Sequence, residues 1–233
     1  MNGVSYIQEG EGENLVLLHG YMSCKESFYY QIKYFSKYFK VTAFDFWGFG
    51  KSEPISDAWS VSDYAKKTLE FLDCLGIENA TLLAHSFGGR VALKLLAEHG
   101  NRFKKAVFVG GAGIVKKHGL IYKSKVLSYR IVKKFAPKFA EKKFGSKEYK
   151  TLSPIMRESY KKIVNEDLRY CLSKITTPAL FIYGKKDRVT PEKYGKIFAN
   201  GVKDGQFISM SGTHFCFCEY PQLFNGIVRE FLL

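Results

Sequence analysis

Cysteine is scarce in this chain and does not fall into pairs. Its five cysteines, Cys24, Cys74, Cys171, Cys216 and Cys218, are odd in number and show no C-x-x-C spacing. That argues against a disulfide framework and against a zinc site, and it fits a reducing, cytoplasmic compartment. Long apolar runs are missing too. The opening MNGVSYIQEGEGEN holds no stretch of signal-peptide length, and no segment is long enough to span a bilayer. The expectation is a soluble cytoplasmic protein without internal repeats or low-complexity linkers.

Acidic residues run short in one place. Between Gly113 and Asn165, fifteen Lys and Arg face only Glu141, Glu148 and Glu158, so +12 of the formal net charge of +14 sits there. The plain reading is a solvated, lysine-rich helical face. The sharper ones are an anionic substrate such as an acidic carrier thioester, or weak docking on an anionic membrane. Nucleic acid is not expected, because no recognition motif accompanies the lysines. Nucleotide signatures fail as well. Gly50-Lys51-Ser52 ends like a phosphate loop, but Asp45 stands where that loop needs glycine. Gly111-Ala112-Gly113 lacks a third glycine, with Lys116 in its place. No cofactor and no metal are implied.

What the chain has is alternation. LVLL (15–18), VTAF (41–44), ATLLA (80–84), AVFVG (106–110), ALFIY (179–183) and QFISM (206–210) are short and β-rich, and several are apolar throughout, as in strands covered on both faces. Helical patterns over 25–39, 61–75, 87–98 and 220–232 lie between and after them, with Ser60 or Ser62 placed to cap the second and Gly76 to end it. This predicts an α/β fold, a mostly parallel central sheet with helices on both faces. Val4–Gln8 is expected to add an antiparallel edge strand through the turn EGEGEN. The basic segment interrupts the rhythm with helical spacing and no strand, Leu120, Leu127, Ile131 and Phe135 forming one stripe ahead of Pro137. It reads as a cap over the strand ends. The division is a core over 1–112, a basic helical cap or lid over 113–170, and the rest of the core over 171–233.

The stretch LLAHSFGGRVAL (82–93) breaks a buried strand at Ser86 and turns at once into a helix. A side chain held at such an apex needs small neighbours two residues to either side, and Ala84 and Gly88 are small. A serine hydroxyl is a weak nucleophile unless a base stands beside it. Two later strand ends carry what is needed: Asp187 after ALFIY, and His214 after QFISM. In this reading His214 takes the proton from Ser86 while Asp187 fixes the imidazole tautomer. Ser86 as an ordinary helix cap is the alternative. His19 and His85 are expected to be structural, packed near the site, and His99 and His118 to lie on the surface. Cys216 and Cys218 flank His214 closely but lack further metal ligands.

At this point the sequence resembles the α/β-hydrolase superfamily, over essentially its whole length. Besides the Ser–Asp–His order, LVLLHGY (15–21) looks like the oxyanion loop, and Asp45-Phe46-Trp47-Gly48-Phe49-Gly50-Lys51-Ser52 matches the D-x-x-G-x-G-x-S turn. His214…Glu219-Tyr220-Pro221…Phe224 is similar to the closing segment. The elbow here is A-x-S-x-G instead of G-x-S-x-G. The resemblance implies the α/β-hydrolase fold with a helical cap inserted after the sixth strand, and an oxyanion hole made by the backbone N–H groups of Tyr21 and Phe87. It implies a serine hydrolase, carboxylesterase-like, that cleaves a small carboxylic ester with an apolar acyl group through an acyl-enzyme. A thioesterase or a carbon–carbon bond hydrolase of the same fold is the alternative. A ligand-binding or signalling protein that has kept the fold and lost turnover is the rival from another class. Aromatic residues Tyr21, Phe87 and Phe215 are expected near the site.

Overall fold

The computed structural model describes residues 3–115, 149 and 151–233. Among them run β1 (Tyr6–Glu9), β2 (Asn14–Leu18), a 3₁₀ turn (Lys25–Phe28), α1 (Tyr29–Phe35), β3 (Lys40–Phe44), α2 (Val61–Cys74), β4 (Ala80–His85) and α3 (Phe87–His99). Then come β5 (Phe103–Val109), α4 (Pro154–Asn165), α5 (Arg169–Leu172), β6 (Ala179–Gly184), α6 (Glu192–Gly201), β7 (Gly205–Met210), α7 (Cys216–Glu219) and α8 (Pro221–Leu232). The seven strands form one sheet in the order β1-β3-β2-β4-β5-β6-β7, parallel throughout except at β1.

Alternation along each strand explains the layers. Leu15 and Leu17 of β2 and Leu180 and Ile182 of β6 enter the core beneath α1, α7 and α8; Val16, Leu18, Phe181 and Tyr183 enter the opposite core with α2, α3 and α6. Successive side chains of a strand point to opposite faces, so a strand buried on both must be apolar throughout. Each fully buried side chain of this size stabilises the fold by about 2 kcal/mol. β4 is buried at all six positions. β7, at the sheet edge, is only partly covered and carries Gln206 and Ser209 among its apolar residues.

Several details differ from the sequence reading. β1 pairs not with β2, its neighbour in sequence, but with β3, Tyr6 opposite Phe44. β2 is occupied on both sides by β3 and β4, so only the outer edge of β3 is open to it. The interruption of the sheet follows β5, the fifth strand of this chain and not a sixth, because β1 alone stands outside β3. The pattern over 25–39 resolves into a 3₁₀ turn and a helix that stops at Phe35, and a further helix, α6, packs between β6 and β7. His99 is half-buried at the end of α3. The stripe Leu120, Leu127, Ile131 and Phe135, with Pro137 and His118, lies outside the described residues. Of the segment read as a cap, α4 sets Met156 and Ile163 into the same core as α2 and α3.

Local signals held where their chemistry is specific. Ser60, not Ser62, caps α2, in a reciprocal box with Asp63: Ser60 N–H donates to Asp63 Oδ2 at 2.7 Å and Asp63 N–H to Ser60 Oγ at 3.3 Å. The Asp45 turn is a buried knot. Its carboxylate accepts from the Lys25 N–H (2.7 Å), Lys25 Nζ (2.9 Å) and the Lys51 N–H (2.9 Å), and Ser52 Oγ donates to its carbonyl at 2.6 Å. The turn thereby fixes the loop that leaves β2 toward Tyr21. All five cysteines are free thiols. Among the described residues no helix is long and apolar enough to cross a membrane.

Candidate active site

The carboxyl ends of β4, β5, β6 and β7 deliver the expected residues to one rim. Ser86 leaves β4 with φ 50° and ψ −106°, a backbone region that costs a non-glycine residue of order 1–3 kcal/mol. It is held there from both sides: its N–H donates to Val109 O at 3.2 Å, and its carbonyl accepts from Gly89 and Ala112 N–H at 3.1 and 3.0 Å. Gly88 has a steric reason to be glycine, since a Cβ there would lie 2.1 Å from the Leu18 carbonyl oxygen. Although Ser86 is the first flanking residue of α3, its hydroxyl caps no helix N–H.

Asp187 and His214 meet. His214 Nδ1 donates to Asp187 Oδ2 at 2.8 Å, and the carboxylate side chain has no solvent exposure. Oδ1 accepts the Val189 and Thr190 N–H groups at 2.8 and 2.9 Å. The Thr190 hydroxyl lies 2.9 Å from both Oδ2 and the Gly110 carbonyl, with a single proton to give. Burial pushes the Asp187 carboxyl up, but the hydrogen bond and charge of His214 and the Thr190 donors outweigh it, leaving the group below its ordinary value. Gly110 passes close behind this pair with φ +53°, and a Cβ there would meet His214 Nδ1 at 3.0 Å.

With Nδ1 committed to Asp187, Nε2 is the imidazole nitrogen left for the cavity that Ser86 and His214 both line. That cavity, of about 790 Å³, is walled by apolar and aromatic residues including Ile114, Leu152, Ile163, Val164 and Tyr160, and Tyr21, Phe87 and Phe215 all border it. No hydrogen bond joins Ser86 Oγ to Nε2 among the described residues, an arrangement common before substrate tightens such contacts. The N–H groups of Tyr21 and Phe87 likewise have no acceptor among the described residues.

The two structural histidines are neutral and their tautomers follow from their partners. His19 Nε2 accepts the Phe46 N–H at 2.9 Å, so Nδ1 carries the proton and donates to Gly20 O at 2.7 Å, tying the loop after β2 to the Asp45 turn. His85 Nε2 sits 3.0 Å from the His214 carbonyl, which can only accept, so Nε2–H donates and the buried Nδ1 is left without a partner. Burial above all pushes His19 down to about 4 and His85 down to about 3. In the unfolded chain both take up a proton near pH 6.5, so between there and about pH 4 the unfolded state binds more protons and stability falls with falling pH. A loss of about 2 kcal/mol is expected between pH 6.5 and 5.5, where carboxylates contribute little. Urea midpoints measured across that interval check it, and a flat profile contradicts it.

Neither Thr190 nor Arg90 is among the residues singled out from the sequence. Thr190 had a signal: an aspartate followed by a threonine three residues on is the spacing of a carboxylate that accepts its own turn's N–H groups. Arg90 stands one helical turn past Ser86 and lines the cavity. Cys216 and Cys218 are thiols that burial pushes up to about 12 and about 11, and Cys218 Sγ donates to the Ser27 carbonyl at 3.4 Å. Among the described residues no three His, Cys, Asp or Glu side chains gather as metal ligands.

The family model of the alpha/beta hydrolase fold matches residues 13–152. The AB hydrolase superfamily protein YisY of Bacillus subtilis (strain 168) is 26% identical over 247 aligned residues, covering 95% of this chain and 92% of that one. The serine hydrolase BPHL of Homo sapiens is 27% identical, covering 100% and 84%. In fold the chain is similar to an esterase (EaEST) from Exiguobacterium antarcticum, with a TM-score of 0.79 at 24% identity and coverage of 98% and 94%. A match over more than half of the chain, on top of a sheet of this order and a serine raised at the end of β4, places the protein in the alpha/beta hydrolase fold family.

Proposed function

We propose that the protein is a serine hydrolase that cleaves a small carboxylic ester with an apolar acyl group. The observation that carries this is Ser86, held in a costly backbone conformation with no hydrogen bond from its hydroxyl to the described residues, on one apolar cavity with the buried Asp187–His214 pair. His214 Nε2 takes the proton as Ser86 Oγ attacks the ester carbonyl. The Tyr21 and Phe87 N–H groups receive the oxyanion, each donor contributing about 3 kcal/mol in the transition state. The imidazolium, steadied by Asp187, then protonates the leaving alcohol, and a water deprotonated by His214 releases the acid and restores the serine. Ile114, Leu152, Ile163 and Val164 provide the wall for the acyl chain.

A fluorophosphonate probe is expected to label the wild-type protein at Ser86 and not the Ser86→Ala variant. Rates on nitrophenyl esters of increasing acyl length, run beside acyl-CoA thioesters, would define the acyl pocket. Absence of labelling, or labelling retained in the variant, would overturn the assignment.

A further inference from the structure

A buried cation borders the proposed acyl pocket, with Glu166 and Asp167 acting on it only from a distance and no ion pair to the described residues. Arg90 is 6% exposed and lines the cavity. Its Nη1 donates to the Glu166 carbonyl at 2.8 Å, and this is its one hydrogen bond to the described residues. No carboxylate lies within 4 Å of it among them: Glu166 pairs with Lys94 at 3.4 Å and Asp167 with Arg169 at 2.8 Å. Of the described cavity-lining residues Arg90 alone carries a permanent charge, and none is acidic. A guanidinium taken out of water and left unpaired is costly to keep. It also presents a planar fork that fits a carboxylate with two parallel hydrogen bonds.

Position says where such a carboxylate would sit. Ser86 immediately precedes α3, Arg90 is the fourth residue of that helix, and both line the same cavity; at 1.5 Å per helical residue Arg90 stands about 6 Å further along the axis. An acyl chain of about four methylenes would bridge that distance with its carbonyl at Ser86. We propose that Arg90 binds a carboxylate at the far end of the acyl chain, so that the substrates are monoesters of aliphatic dicarboxylic acids. This rests on the hydrolase reading and narrows it: the methylenes lie on the apolar walls and the terminal charge finds the guanidinium.

Monomethyl adipate and methyl hexanoate match in length and differ at that terminus. The wild-type protein is expected to favour monomethyl adipate in kcat/KM by at least tenfold, and Arg90→Met to erase that preference. Arg90→Lys should recover part of it, as a point charge in place of a fork. Arg90→Gln removes the charge while keeping an N–H donor for the Glu166 carbonyl, and serves if Arg90→Met does not fold. A second measurement needs no turnover: calorimetric binding of monomethyl adipate to Ser86→Ala should weaken at least tenfold when Arg90→Gln is added. Unchanged preference and unchanged affinity in folded Arg90 variants would overturn the proposal and leave the hydrolase reading standing. Arg90-dependent binding in a protein that turns over neither ester would do the reverse.

Discussion

Ser86→Ala is expected to lower kcat on a nitrophenyl ester by about six orders of magnitude, close to 8 kcal/mol of lost transition-state stabilisation. His214→Ala should cost nearly as much, and the double variant little more, because a nucleophile without its base and a base without its nucleophile fail at the same step. Steady-state kinetics decide it, and turnover within tenfold of wild type in either single variant would refute the triad. A companion substitution reads the same residue through folding. With φ 50° and ψ −106°, position 86 suits glycine, so Ser86→Gly should abolish turnover yet raise stability by about 1 kcal/mol. That pair of results would separate a chemical role for the serine from a structural one.

The second large effect concerns the Asp45 knot. Asp45→Asn is expected to destabilise the protein by about 3–5 kcal/mol, read from the urea midpoint. Lys25 and Asp45 bridge at 2.9 Å with side-chain exposures of 5% and 0%, so neutralising the carboxylate strands a buried ammonium. Glu26, 3.1 Å from the same ammonium and 54% exposed, softens the loss toward the lower end. Lys25→Met combined with Asp45→Asn should recover only part of it: the Lys25 and Lys51 N–H groups donate to different carboxylate oxygens, and an asparagine keeps just one of the two as an acceptor. A single Asp45→Asn variant as stable as the wild type would show that the pair contributes nothing.

The sheet was largely legible because its strands are apolar in runs bounded by Gly, Asp and Pro, which is what burial on both faces demands. The placing of β1 was not, since sequence adjacency favours β2 and only the completed pairing of β2 shows that side taken. The positions of Ser86, Asp187 and His214 at three strand ends could be read from small-residue spacing and strand order. Their mutual distances could not, because they depend on how closely Gly88 and Gly110 let neighbouring segments approach. Arg90 escaped notice for a different reason. An arginine four residues into a helix looks like any surface residue until the fold buries it, and that no described carboxylate pairs with it depends on how Glu166 and Asp167 are engaged elsewhere.

The order of the strands also has a temporal meaning. After β4, each later strand joins the outer edge of the one before it, and 129 residues separate His85 from the His214 carbonyl that it holds. A chain emerging amino-terminus first therefore releases Ser86 long before the imidazole proposed to activate it. On the proposed triad, the growing polypeptide carries an inert alcohol until β7 docks and brings His214 to the same rim.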